Sequence, residues 1–261
     1  RKTTLLLTLL CAAVNLAWVL AVRIEPFSDY ETYWQTACAL ASGGEIDAPW
    51  YIAMYPHILG CSTFLSAFLK IFGEHVMVAA VINVILTCLS GLLIYSICLR
   101  LASPLTAALA YLLWIVCPSK MMLNPLVFSE PLYTCLILLF FYLIVLIEQQ
   151  RGSLPRRLGV CLLWGLALGV LLRAVNIVRP ISAILIIALV LWLLFVFIQT
   201  VSHRDYFLPE DADEGTYHDS HSCSNRQAWL ALGLLVASLG AVVLLAKSLS
   251  DPLAAAIVRT G

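Results

Sequence analysis

Apolar residues run through this chain in long blocks separated by short polar joints. The blocks fall near residues 5–22, 76–99, 103–117, 131–147, 158–172, 181–199 and 228–246. Each is near the ~20 residues that an α-helix needs to cross a bilayer. The pattern predicts seven membrane-spanning helices. One block, 56–72, departs from it. Ser62, Ser66 and Lys70 recur there at i, i+4 spacing, opposite Cys61, Phe64, Leu65, Phe68 and Phe72. Pro56 stands where a helix can start. A polar stripe facing an apolar stripe predicts a helix lying in the membrane interface.

Composition sharpens this reading. The chain is 62% hydrophobic and 11% charged, with mean hydropathy +0.97, whereas a soluble domain is roughly a quarter charged. The fold class expected is an all-α polytopic membrane protein. The net charge of +0 gives nucleic acid no electrostatic foothold. The dense cluster Arg151, Arg156 and Arg157 places its loop inside, and so places the loop from Arg23 to about Tyr55 outside. Residues 201–227 then form a mobile cytoplasmic loop. Within it, His218, His221 and Cys223 lack a fourth metal ligand, which favours a solvated loop. Most of the nine cysteines sit in apolar runs, and no CxxC occurs. A Cys38–Cys61 pairing is open, because sequence alone does not set connectivity. Arg1 at the front and Gly261 soon after an apolar block suggest a single transmembrane domain, 1–261, that is the N-terminal part of a longer chain.

Candidate chemistry gathers at the ends of the predicted spans. Ser28-Asp29-Tyr30-Glu31 reads as a capping box opening a helix that stops at Gly43-Gly44. Glu31 would then reach back to the Ser28 N–H. Asp29, at the first helical position, is either a carboxylate favoured by the helix dipole or a base at the mouth of an outward cavity. Lys120, Arg173 and Arg179 fall on the same expected outer side. They either snorkel to headgroups or hold phosphate, for which guanidinium geometry is suited. Glu130 begins another span on that side. The cores of the predicted spans carry no Asp, Glu, Lys, Arg or His, which weakens ion-coupled transport.

The order of several short motifs resembles the GT-C fold glycosyltransferases that use polyprenyl-phosphate donors, in the bacterial branch of protein O-mannosyltransferases and aminoarabinose transferases. The motifs are Pro26 to Tyr33, Ala41-Ser42-Gly43-Gly44, Tyr55-Pro56-His57, Ile71-Phe72-Gly73, Ser129-Glu130-Pro131-Leu132-Tyr133 and Arg179-Pro180. The resemblance covers about residues 5–200. It implies a transmembrane bundle with juxtamembrane helices in the first outer loop. It also implies Asp29 as the catalytic base or acceptor-orienting group, and basic groups that hold the donor phosphate. Glu31, Tyr33, His57, Lys120, Glu130, Arg173 and Arg179 are the candidate substrate-binding residues. Some relatives carry an acidic-basic pair where this chain has Met54-Tyr55. That leaves a divalent metal ion and one phosphate contact open, with His57 as a partial substitute.

The expected function is transfer of a sugar from a polyprenyl-phosphate donor to a protein, lipid or glycan acceptor, on the outer face of the cell membrane. A transporter or flippase for a lipid-linked sugar is the alternative, and a structural subunit of an envelope complex is a third.

Overall fold

A computed structural model describes residues 2–46, 49–150 and 158–202, with isolated positions between 233 and 243. Among the described residues there is no strand, and ten helices occur: α1 (Lys2–Ala21), α2 (Asp29–Ser42), α3 (Pro49–Met54), α4 (His57–Phe72), α5 (Val76–Leu101), α6 (Pro104–Ile115), α7 (Pro118–Leu123), α8 (Glu130–Gln150), α9 (Leu158–Val178) and α10 (Ser182–Ser202). This is the all-α polytopic membrane architecture expected. The Arg151–Arg157 cluster, most of the span at 228–246 and the loop carrying His218, His221 and Cys223 lie outside the described residues.

Among the described residues, α1, α5 and the stretch Glu130–Gln149 are long and apolar enough to cross a membrane. Residues 103–117 differ from expectation. They form only the 12-residue α6, about 18 Å at 1.5 Å per residue, against the ~30 Å of a hydrocarbon core. Ser103 and Pro104 start this helix, with the Ser103 hydroxyl accepting from the Thr106 N–H. Pro118 then opens α7 two residues after Val116 and keeps the two from continuing as one rod.

Two compact units divide the described residues. Arg1–Val145 with Ala174–Pro180 form one, and Leu146–Arg173 with Ile181–Ala246 form the other. In the second, Leu168, Leu171 and Leu172 of α9 and Leu185 and Leu189 of α10 are buried. In the first, α5 is the axis. Its Ala80, Val84 and Cys88 pack with Leu7 and Cys11 of α1 and with Ala107 and Tyr111 of α6. Its Ala79, Ile82 and Leu86 pack with Ala37 of α2, Cys61, Leu65 and Leu69 of α4, and Val178. Covered on two sides, α5 is 56% buried along its apolar window, against 22% for α1. A helix buried this way needs no apolar stripe. Gly91 lets α6 close in: a Cβ there would stand 2.1 Å from the Tyr111 ring.

The interior is not purely apolar. Asn124, in the loop after α7, donates from Nδ2 to Asn15 Oδ1 of α1 at 2.7 Å and accepts at Oδ1 from Thr87 of α5 at 2.9 Å. Asn83 of α5 donates to the carbonyls of Asn124 and Leu126, at 3.2 and 2.8 Å. All four side chains are buried. Without neighbouring water, such groups must find partners inside the protein, so the network holds loop 124–128 against α1 and α5.

The helix at 57–72 forms as expected, but its stripes are used differently. Ser62 and Ser66 are buried while Ile71 and Phe72 are exposed. The Ser62 hydroxyl donates to the Tyr33 carbonyl at 2.9 Å, and Ser66 donates to its own helix at the Thr63 carbonyl. Ser62 of the polar stripe therefore lies against α2, where its small side chain admits close helix approach and a carbonyl satisfies its hydroxyl, while Lys70 at the end of the stripe is exposed. The chain shows the same economy at Gly60, where a Cβ would meet the Ile177 carbonyl oxygen at 2.3 Å.

Replacing Asn124 by Ala should lower detergent-solubilised stability by about 1–3 kcal/mol, the usual penalty for orphaned buried partners. Thermal unfolding in a fixed detergent measures it. An unchanged midpoint would show that the loop is held by its apolar contacts alone.

Candidate functional site

Helix α2 begins at Asp29, as the sequence predicts, but no capping box forms. Ser28 adopts a positive φ of 52° and makes no side-chain cap. Glu31 instead accepts at Oε1 from Gln35 Nε2 at 2.9 Å, one turn on along the exposed face. The i, i+4 amide has replaced the backbone N–H as its partner. The helix stops as expected, with Gly43 left-handed (φ 76°) and its N–H on the Ala39 carbonyl.

Asp29 is exposed and accepts a hydrogen bond from the Tyr51 hydroxyl of α3 at 3.0 Å. That bond, with the carboxylate behind it, raises the Tyr51 pKa above its usual value. Tyr51 thus stays a neutral donor that orients the carboxylate. Next to Asp29, Tyr30 packs edge-on against Phe128, ring centroids 5.7 Å apart. The start of α2 is thereby held against the loop that the asparagine network fixes.

One residue beyond Phe128 the charged centre begins. Arg179 closes the end of α9, its N–H on the Val175 carbonyl. Its Nε donates to Ser129 Oγ at 3.0 Å, and its Nη2 pairs with Glu130 Oε1. The guanidinium also lies over the Tyr133 ring, 5.6 Å from the centroid. A cation at a helix C-terminus and a carboxylate at a helix N-terminus each meet a favourable dipole, so the pair joins two ends that suit it. Both side chains remain about 30% exposed, leaving the guanidinium within reach of a ligand.

Tyr33 and His57 border this centre. Tyr33 is buried, and burial raises its phenol pKa against the opposing effect of its hydrogen bond with Ser129. His57, at the start of α4, has its pKa lowered by burial first and by Arg179 second. Lys120 of α7 stands over the Trp114 ring, 5.4 Å from its centroid.

The structure therefore brings Tyr33, His57, Glu130 and Arg179 together, with Asp29 on the adjoining segment. Glu31 faces away with Gln35. Arg173 belongs to the second compact unit, whereas these residues all belong to the first. Three participants escape a reading by charge: Ser129, Tyr133 and Tyr51. The first two lie inside the Ser129–Tyr133 motif, beside its one charged residue, Glu130. Cys38 and Cys61 are free thiols. No group of three or more His, Cys, Asp or Glu that could hold a metal occurs among the described residues.

Residues 57–206 match the model of the dolichyl-phosphate-mannose-protein mannosyltransferase family, more than half of the chain. The chain belongs to that family. Over 76 residues, 29% of its length, it is also 42% identical to a Sinorhizobium fredii protein described as an ionic transporter. The chain spans about a fifth of the length of that curated relative. No solved structure matches it. The family match begins at His57, so it covers His57, Ser129, Glu130 and Arg179 but not Asp29.

The His57 shift fixes a pH dependence. The unfolded chain takes up a proton near the usual value of 6.5, while the folded imidazole resists it. His57's contribution to stability is therefore complete above pH 6.5 and is lost as pH falls towards the lower folded pKa. Melting temperatures measured from mildly acidic to neutral pH should fall less steeply with acid in His57→Gln than in the native protein. Equal slopes would mean that His57 titrates normally.

Proposed function

We propose that this protein is a membrane glycosyltransferase that moves a sugar from a polyprenyl-phosphate donor to an acceptor at the outer face of the cell membrane. The observation that carries the reading is a guanidinium, held by Ser129 and Glu130, bordered by Tyr33 of the helix whose first residue is the exposed Asp29. Family membership supports the same reading.

In this reading the acceptor hydroxyl lies against Asp29. Its oxygen bonds to the anomeric carbon as the bond from that carbon to the donor phosphate breaks. The hydroxyl proton passes to Asp29, and the electron pair leaves with the polyprenyl phosphate. Arg179 stabilises the charge growing on that phosphate. Displacement from the opposite face inverts the anomeric centre. Tyr51 keeps the Asp29 carboxylate aimed through its hydroxyl hydrogen bond.

The alternative is transport of a lipid-linked sugar, to which the description of the Sinorhizobium fredii relative lends some support. Against it, the three long apolar helices carry Asp, Glu, Lys and Arg only at their ends, whereas ion-coupled pathways place such residues inside the bundle.

Asp29→Asn should leave the protein folded and lower turnover roughly 10²–10⁴-fold, the usual contribution of a positioned acid or base. Glu31→Gln should be nearly silent, because Gln35 can bond an amide as well as a carboxylate. The assay is release of free polyprenyl phosphate from a labelled donor, in proteoliposomes containing full-length protein. Donor cleavage at the native rate by Asp29→Asn, or passage of the lipid across the bilayer without cleavage, would overturn the transferase reading.

A further inference from the structure

Glu130 uses only one of its two carboxylate oxygens on Arg179. The other, Oε2, is buried and has no hydrogen-bond partner, although about a third of the side chain reaches the surface. A carboxylate oxygen in that position is under strong demand for a donor. The Glu130 side chain borders a cavity of about 10 Å³ shared with Thr87, Ser90, Trp114, Lys120 and Thr134. Ser90 is 1% exposed, and its hydroxyl oxygen is likewise without a partner. Two residues that each carry an unpartnered buried oxygen, Glu130 and Ser90, thus line this cavity together with Lys120, a side chain rich in donors. Its volume suits a single small polar group, whether a water or an ammonium.

Lys120 meanwhile rests on the Trp114 ring, and that ring borders the same cavity. A half-exposed cation–π contact is weak, whereas a carboxylate facing a confined cavity is a stronger partner for an ammonium. While Arg179 occupies Oε1, Glu130 is already neutralised, and the second cation gains little by moving. Once Arg179 turns to an anionic ligand, the Glu130 charge is left half-buried beside Lys120.

We propose that Glu130 is shared between two cations: Arg179 holds it when the site is free, and Lys120 takes it through the cavity when a phosphate headgroup draws Arg179 away. Lys120 is then a positioning residue, acting on the ligand through Glu130 and Arg179. The inference rests on the reading that Arg179 receives the donor phosphate. It explains why a cation meant for a ligand is found paired to a carboxylate. The carboxylate keeps the guanidinium ordered, and the waiting lysine lowers the penalty of releasing it. No covalent step is involved, only an exchange of ion-pair partners.

Binding of undecaprenyl monophosphate to the full-length protein, in nanodiscs of zwitterionic lipid, tests it as a double-mutant cycle. Lys120→Met should weaken binding about tenfold in the native background, and less than about threefold in Glu130→Gln, where no carboxylate needs a new partner. Glu130→Gln alone should tighten binding. If Lys120 touched the phosphate directly, its loss would weaken binding by the same factor in both backgrounds, and the exchange would be refuted. Arg179→Ala separates the two layers: native affinity in that variant overturns the phosphate reading itself. Should Glu130→Gln fail to fold, Trp114 supplies a second readout in the otherwise native chain. Its emission, isolated by difference from Trp114→Phe, should change on ligand addition as Lys120 leaves the ring. That change should vanish in Lys120→Met. An unchanged Trp114 signal on saturation would overturn the exchange.

Discussion

The buried asparagine network is the constraint from which the site follows. Asn124 reaches α1 through Asn15 and α5 through Thr87, while Asn83 holds the carbonyls of Asn124 and Leu126. In a lipid-surrounded bundle no solvent competes for these groups, so each hydrogen bond also removes the penalty of an unmade one. The loop is thereby tied to two long helices. Phe128, Ser129 and Glu130 follow directly from it. The segment that receives Tyr30 and Arg179 is therefore set by neutral polar groups.

The charged centre uses helix ends to the same purpose. Glu130 begins α8 and Arg179 ends α9, so each charge already has a favourable dipole before the pair forms. Ser129 and the face of Tyr133 complete the guanidinium's surroundings. With both side chains only partly buried, the pair avoids the full desolvation penalty of a buried ion pair. Asp29 is set apart from this centre by the Tyr30–Phe128 contact and is aimed by Tyr51.

Much of this was legible in the chain itself. Long apolar blocks specify membrane helices through length and the hydrophobic effect alone. Gly43-Gly44 stops α2 because a left-handed residue is needed there, and glycine takes it without strain. Asp29 opens its helix where the residue pattern places it, and the gathering of charge at helix ends is visible by inspection. The Ser129–Tyr133 and Arg179-Pro180 motifs could be picked out by resemblance, since they lie in the part of the chain that matches the family.

Tertiary structure decided the partners. Serine spacing on α4 looks the same whether the stripe meets water or another helix. The nearby α2, with the Tyr33 carbonyl in reach of Ser62, turns it inward. A capping box is a local option, and Glu31 has a second local option in Gln35, which the backbone geometry at Ser28 selects. Pro118 marks a break in the sequence, yet only packing shows that α6 stops at 12 residues. The pairing of Arg179 with Glu130 joins residues 49 apart, and Asn15 meets Asn124 across 109. No periodicity reports such distances. Charge and hydropathy say which residues want partners, and the fold alone brings those partners within hydrogen-bonding range.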